Sequence, residues 1–341
     1  MIFYFKLTKG RGESILKKNL TVSEEIMGYR IGVDLGGTNM AAGLLNEAYE
    51  IVCRKTIATR AGGTPQELAE DMANLISDLL TEAKVAKEEI LLVGIGIPGS
   101  VTEDGVVEDA NNIGFFNVPF EAMMRERTGL RVQTINDARA AALGEYVAGA
   151  GVGSRSFQML TIGTGVGGAF IFEGKVISGC NGAAGEIGHM VIRKDGVQCN
   201  CGRRGCLEAY ASASALKKRM TEVVSEKQEG LLMQMCGGKP EVLSAKKLFA
   251  ALAKEDRTAQ ELFEEYIEYL AEGVANLINA LQPDVFCIGG GMSAQGEVLL
   301  APLRRSVSEK IYSRHSAVQT KLVAAVLGND AGIIGAAYDT K

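Results

Sequence analysis

The chain carries no excess of basic residues: 36 lysines and arginines stand against 41 aspartates and glutamates, for a formal net charge of -5. That balance argues against a nucleic-acid surface, because phosphate binding needs a basic footprint. No apolar run approaches the length of a membrane span. Residues 1–5 are too short for the core of a signal peptide, and lysines come after them where a small-residue cleavage site would stand. Cysteine is odd in number, at seven, and the rest of the chain reads as cytosolic, so a disulfide framework is not expected. A DNA-reading domain does not fit ahead of Met27, since three helices of about 11 residues each, plus turns, exceed the 26 residues there. A cytoplasmic enzyme is the expectation. Histidine is scarcer than cysteine, with two in 341 residues, and one of the two stands just upstream of a cysteine cluster.

That residue, His189, precedes Cys199, Cys201 and Cys206, all four within eighteen residues, with Glu186 and Glu208 on either side. Three thiolates and one imidazole are the donor set of a closed tetrahedral zinc site. Gly202 and Gly205 turn the backbone so that the sulfurs stay close. Four protein ligands leave no open position for water, so the zinc is expected to be structural. The bland alternative is three unrelated thiols. Cys53, Cys180, Cys236 and Cys287 read as small hydrophobes or bystanders.

A chain of 341 residues exceeds what one hydrophobic core usually supports, so two domains are expected. Lys6, Lys9, Arg11, Lys17 and Lys18 interrupt any apolar pattern in residues 1–26. These are read as a solvated extension outside the core, with Met27 as a candidate start. From there an apolar run over 29–34, the Gly36-Gly37 turn and a second run over 40–45 make a hairpin signature. A strand at 51–58 comes next, then a helix at 65–84 with Leu68, Met72, Leu75, Ile76 and Leu79 at helical spacing. A strand over 90–97 stops at Pro98-Gly99. Another over 131–135 ends at Asn136-Asp137, where a helix opens and runs to 147. The second half starts the same way, with strands at 158–162, 167–172 and 175–177. A helix over 259–281, a strand over 284–288 and a last helix near 331 complete it. The duplication predicts two facing α/β domains with a cleft between them. The smaller spans 27–137, completed by a C-terminal helix over 331–341, and the larger spans 138–330 and holds the metal motif.

Both hairpin turns carry threonine beside glycine, as Gly36-Gly37-Thr38 and Gly163-Thr164-Gly165-Val166-Gly167-Gly168. Facing each other across a cleft, they would present backbone N–H groups to phosphate oxygens, although either turn alone is more often only a hairpin. Asp34, just before the first turn, is placed to hold a magnesium-bound water near those phosphates. Gly289-Gly290-Gly291 lies at a strand's carboxyl end, where adenosine would sit, and a plain strand-to-helix turn explains these glycines nearly as well.

Taken in order, Asp34-Leu35-Gly36-Gly37-Thr38, Gly94-Ile95-Gly96-Ile97-Pro98-Gly99, Asn136-Asp137, the Gly163–Gly168 turn, Glu186-Ile187-Gly188-His189 and the segment 199–208 resemble the ROK family of sugar kinases and sugar-responsive repressors. Within the family, the stretch 181–186 is most similar to bacterial ATP-dependent glucokinases. The resemblance covers about residue 27 to the end. It implies an actin-like, ribonuclease-H-like pair of domains holding ATP, Mg2+ and a sugar in the cleft, beside the structural Zn2+. It implies Asp137 as the general base, and Asn112, Asn136, Glu186, His189 and Glu208 as sugar contacts. Asp137 as a plain helix N-cap is the competing assignment, and both can hold. His189 would serve twice, with one ring nitrogen on zinc and the other toward the sugar. A phenylalanine, Phe115, stands where the glucokinases usually have a loop tryptophan.

The activity implied is phosphorylation of the 6-hydroxyl of a hexose, with glucose first. N-acetylmannosamine, N-acetylglucosamine, fructose and allose are the alternative substrates, and polyphosphate the alternative donor. A homodimer or homotetramer is implied too. A non-catalytic sugar-binding regulator is the rival of another class, for which Asp137 would be dispensable.

Overall fold

Two mixed five-stranded sheets carry the chain in the computed structural model, which describes residues 28–180 and 182–340. The expectation for residues 1–26 lies outside the described residues. In the first sheet β1 (Tyr29–Leu35), β2 (Asn39–Leu45) and β3 (Ile51–Ala58) form an antiparallel meander. Helix α1 (Pro65–Ala83) crosses to β4 (Ile90–Ile97), which lies parallel to β1. Its start is set by a reciprocal pair of hydrogen bonds between Thr64 and Glu67, with Pro65 in the first turn. Its apolar stripe of Leu68, Met72, Leu75, Ile76 and Leu79 is buried on the sheet. A small antiparallel sheet then interrupts the pattern, built from β5 (Ser100–Val101), β6 (Val107–Ala110) and β7 (Phe115–Val118). Helix α2 (Phe120–Thr128) leads back to β8 (Val132–Asn136), parallel to β4, giving the order β3-β2-β1-β4-β8.

Helix α3 (Asp137–Ala148) leaves β8 without a loop and delivers the chain to the second sheet. There β9 (Ser156–Ile162) and β10 (Val166–Phe172) pair antiparallel, and β11 (Lys175–Val176) adds an edge. The zinc-type loop comes next, then α4 (Glu208–Ala211), α5 (Ala213–Lys227), α6 (Leu231–Met235), α7 (Ala245–Leu252) and the long α8 (Arg257–Leu281). Strand β12 (Val285–Gly289) lies parallel to β9, α9 (Glu297–Lys310) packs on α8, and β13 (Lys321–Ala324) completes the order β11-β10-β9-β12-β13.

Helix α10 (Asp330–Ala336) returns to the first sheet and crosses α3. The crossing is close because both helices have glycine at the contact. A Cβ on Gly335 would stand 1.6 Å from the carbonyl oxygen of Ala140, and one on Gly144 would stand 2.1 Å from that of Ala331. The final helix is shorter than the expected 331–341. It stops at Ala336, and Gln133 of β8 then takes the chain over, donating to the carbonyl of Ala336 at 2.9 Å and accepting from Thr340.

Candidate active site

The carboxyl ends of β1, β4 and β8 bring two carboxylates together. Asp34 of β1 pairs with Gly96 of β4, and Asp137 opens α3 where β8 ends. Burial pushes the Asp34 carboxyl above its usual range, and the charge of Asp137 adds to it. Asp137 is an exposed residue by surface area, yet enough protein surrounds its carboxylate to desolvate it in part. Desolvation raises it most, with the charge of Glu186 adding, while hydrogen bonds from Ala138, from its own backbone and from Asn136 pull it down. Its Oδ1 accepts the N–H of Ala138 at 2.7 Å and Nδ2 of Asn136 at 3.1 Å. The Asn136 amide also donates to the carbonyl of Gly99 at 2.9 Å, while its oxygen caps α3 through the N–H of Arg139. The helix cap is therefore Asn136, and among the described residues no other residue donates a hydrogen bond to Oδ2 of Asp137.

The β1–β2 turn over Gly36, Gly37 and Thr38 is closed by Thr59, whose hydroxyl donates to the carbonyl of Gly36 at 2.7 Å. Asn112 lies beside it in a single 3-10 turn, its carbonyl oxygen 3.6 Å from where a Cβ on Gly37 would stand. Phe115 is not a loop residue facing a ligand: it lies on β7, 1% exposed, its ring tilted at 44° against that of Phe120 with centroids 5.1 Å apart. Its size is a matter of core packing, and the exposed neighbour is Phe116.

At the β9–β10 turn, Val166 donates to Oε2 of Glu208 at 2.9 Å, which ties the turn with Thr164 at its tip to the first turn of α4. The glycines here are of two kinds. A Cβ on Gly163 or Gly291 would meet nothing within 4 Å, so packing does not demand glycine there and the space is open to a ligand. One on Gly165 would strike Glu208, and one on Gly167 would come within 3.1 Å of Ala138 at the start of α3. Gly290 has φ +77° and abuts Ile162, so the strand-to-helix turn explains it fully.

Beside this turn lies the His/Cys cluster. His189 ends a short 3-10 turn, its N–H donating to the carbonyl of Glu186 at 3.1 Å, and faces Cys199 with Nδ1 3.6 Å from Sγ. Cys201 and Cys206 stand 3.7 Å apart, and the four ligand atoms lie within 4.8 Å of one another. A tetrahedron with bonds of about 2.3 Å to sulfur and about 2.0 Å to nitrogen has S···S edges of about 3.8 Å and N···S edges of about 3.6 Å. The donor set and these two separations fit that ion. With Nδ1 turned to the thiols, Nε2 of His189 is left for another partner. Glu208 lies between the two groups, with Oε1 4.0 Å from Sγ of Cys199.

The sequence reading overlooked Arg139. It is only 9% exposed, and its guanidinium reaches from α3 to the carbonyls of Gly182 and Ala184, the latter at 2.7 Å. An arginine two residues after Asp137, on the inward face of the helix, was the available signal.

Two mixed sheets with glycine turns and carboxylates gathered at their strand ends define an α/β protein of the actin-like kinase architecture. The chain belongs to the ROK family, whose model matches residues 30–340. It is 40% identical to a glucokinase of Thermotoga maritima over 90% of this chain and 95% of that one. To a glucokinase of Halalkalibacterium halodurans it is 38% identical, over 91% and 94% of the two chains. Among solved structures, a ROK family glucokinase from Streptomyces griseus in complex with glucose and AMPPNP superimposes with a TM-score of 0.75, at 33% identity, covering 91% of this chain and 98% of that one.

Proposed function

We propose that this protein is a glucokinase, a hexokinase-type phosphotransferase that moves the γ-phosphoryl group of ATP to the 6-hydroxyl of glucose. Its glucokinase relatives and the glucose- and AMPPNP-bound neighbour support the reaction class. The observation that carries the assignment of residues is the position of Asp137, a carboxylate with a raised pKa whose Oδ2 accepts no hydrogen bond from another of the described residues, held at the end of β8 where the start of α3 meets the β9–β10 turn through Ala138 and Gly167. A hydroxyl is a poor nucleophile. Asp137 accepts its proton as the bond from the 6-oxygen to phosphorus forms and the bond from phosphorus to the departing ADP oxygen breaks, a contribution of about 100- to 10,000-fold. A raised pKa makes Asp137 a better proton acceptor at neutral pH, and Asn136 fixes its rotation. Glu186, Glu208, Nε2 of His189, Asn112 and Asn136 bind the sugar hydroxyls. N–H groups of the Gly36–Thr38 and Gly163–Gly167 turns hold phosphate oxygens, with adenosine beside Gly290 and Gly291. Asp34 would hold Mg2+ through water, and that ion supplies charge neutralisation on the phosphates. His189, Cys199, Cys201 and Cys206 would hold Zn2+ as a structural ion that frames the sugar contacts.

The same reading makes the protein a cytoplasmic homodimer or homotetramer, with residues 27–137 and the C-terminal helix as one domain and 138–330 as the other. No helix among the described residues is long and apolar enough to cross a membrane. The test is coupled release of ADP with a panel of glucose, N-acetylmannosamine, N-acetylglucosamine, fructose and allose, repeated with polyphosphate as donor. Turnover is expected to be fastest with glucose and ATP. A faster N-acetylhexosamine would move the substrate assignment, and no turnover with any sugar would remove the enzyme assignment.

A further inference from the structure

Arg139 stands between the two halves of the site and belongs to neither set of assigned residues. Its backbone N–H is held by Oδ1 of Asn136 at 3.1 Å, which fixes it to the strand end that presents Asp137. Its guanidinium donates through Nη2 to two carbonyls of the 178–186 loop, those of Gly182 and Ala184. Those carbonyls bracket Ala183, so the loop turns around the guanidinium. Gly182 and Gly185 both have positive φ, at +77° and +98°, a backbone course that glycine adopts without strain and that lets the loop fold round the guanidinium. Two residues after Ala184 comes Glu186, whose carbonyl in turn receives the N–H of His189. One buried cation therefore joins the base, by way of the first turn of α3, to the two sugar-facing residues of the loop.

We propose that Arg139 is a positioning residue for sugar binding: its guanidinium clamps the Gly182 and Ala184 carbonyls and so sets Glu186 and His189 at a fixed separation from Asp137. The proposal rests on the glucokinase reading of the site. Arginine suits the task better than lysine, because a planar fork presents several donors in fixed directions, whereas an ammonium is a flexible point charge. A buried guanidinium also needs its acceptors, and the loop carbonyls would lose theirs with it. Burial lowers the pKa of Arg139, and the Glu186 charge opposes that shift, which places Glu186 within electrostatic reach of the clamp.

A groove of about 1000 Å³ runs behind the loop between the edges of the two sheets, lined by Asn136, Arg139, Lys175, Gly179, Gly182 and Tyr338 among others. Because Arg139 lines it, the space left by truncating the side chain is open to a small cation from solvent. That gives the proposal a direct test. Arg139→Ala and Arg139→Lys are compared with wild type for glucose and ATP kinetics, glucose binding by titration calorimetry, melting temperature and zinc content, with and without tens of millimolar ethylguanidinium.

The expected result for Arg139→Ala is a KM for glucose raised about tenfold or more, a smaller fall in kcat, and a KM for ATP within about twofold. Ethylguanidinium should restore part of the glucose affinity, while sodium chloride at equal concentration should not. Arg139→Lys should fall between the two proteins. Amides of residues 182–186 should exchange with deuterium faster in Arg139→Ala.

Unchanged glucose affinity in Arg139→Ala overturns the inference while the glucokinase reading stands. So does a loss of glucose and ATP affinity in parallel with melting temperature and with no rescue, which marks a purely structural arginine. If wild type itself neither binds nor phosphorylates glucose, the functional reading fails instead.

Discussion

At the scale of single residues, two aspartates at the strand ends are both pushed above the ordinary carboxylate range, and the consequences differ. For Asp137 the consequence is kinetic. Asp137→Asn keeps the shape and removes the base, so kcat should fall by at least about 100-fold while the glucose dissociation constant stays within a few fold. Calorimetry and the ADP assay decide, and a variant keeping more than a tenth of wild-type turnover would show that another group takes the proton. In wild type, kcat/KM should decline as pH falls through the raised value of Asp137, because only the carboxylate accepts a proton. For Asp34 the consequence is thermodynamic. Its folded pKa lies above the ordinary 3.8, so the folded state prefers the protonated form. That preference stabilises the protein fully below pH 3.8 and is lost as pH rises through the folded value, leaving an ionised, desolvated carboxylate near neutrality. Asp34→Asn without ligand should therefore melt higher than wild type at pH 7, with the gap narrowing as pH approaches 3.8, and should turn over more slowly. Equal melting at pH 7 would mean that Asp34 is not strained in the free protein.

At the scale of elements, the loop that carries the His/Cys cluster is tied through Glu208 both to the β9–β10 turn and to Cys199, so the proposed metal and sugar sites share one frame. Cys201 is exposed, so replacing it removes one ligand without opening the core. Wild type purified without added metal should carry close to one zinc per chain by elemental analysis. Cys201→Ser should lose metal, stability and glucose affinity together, since Glu186, His189 and Glu208 share the frame that the ion holds. Loss of zinc with an unchanged glucose dissociation constant would reduce the ion to a distant staple. This loop was legible in the sequence because its chemistry is local: three cysteines in eight residues need no fold to be seen. The hairpins and the 65–84 helix were legible for the same reason, from short-range turn chemistry and periodicity. The β5–β7 sheet was not, because its strands are two to four residues long and Asp104, Glu108 and Asn111 break any alternation. Arg139 was invisible because its partners, Gly182 and Ala184, lie more than forty residues away and offer backbone atoms, which every sequence has.

At the scale of the whole molecule, two segments among the described residues pass between the sheets: α3, and the stretch from β13 into α10. Glu145, fully buried, fastens one to the other, with Oε1 accepting the N–H groups of Val326 and Leu327 at 2.9 and 2.8 Å and Oε2 accepting that of Ala150 at 2.9 Å. The Gly144 and Gly335 contacts then bring α3 and α10 together at backbone distance. Any rotation of one sheet against the other would have to occur about these crossings. The joint and the cleft both use glycine, and alanine separates the two uses. In an isolated helix Gly→Ala would gain about 1 kcal/mol. At Gly335 the new methyl would lie 1.6 Å from the Ala140 carbonyl oxygen, which forces the helices apart, so Gly335→Ala should lower the free energy of unfolding by about 1–3 kcal/mol or more. Gly163→Ala, with nothing within 4 Å, should leave stability within about 0.5 kcal/mol. On the proposed phosphate role of the turn, it should raise the KM for ATP, because the methyl enters the open space beside the turn's N–H groups. Urea unfolding of both variants, with ATP kinetics on the folded proteins, checks the pair. Wild-type stability in Gly335→Ala would mean that the two sheets are not held through the α3–α10 crossing, and a wild-type KM for ATP in Gly163→Ala would move the phosphates away from the β9–β10 turn.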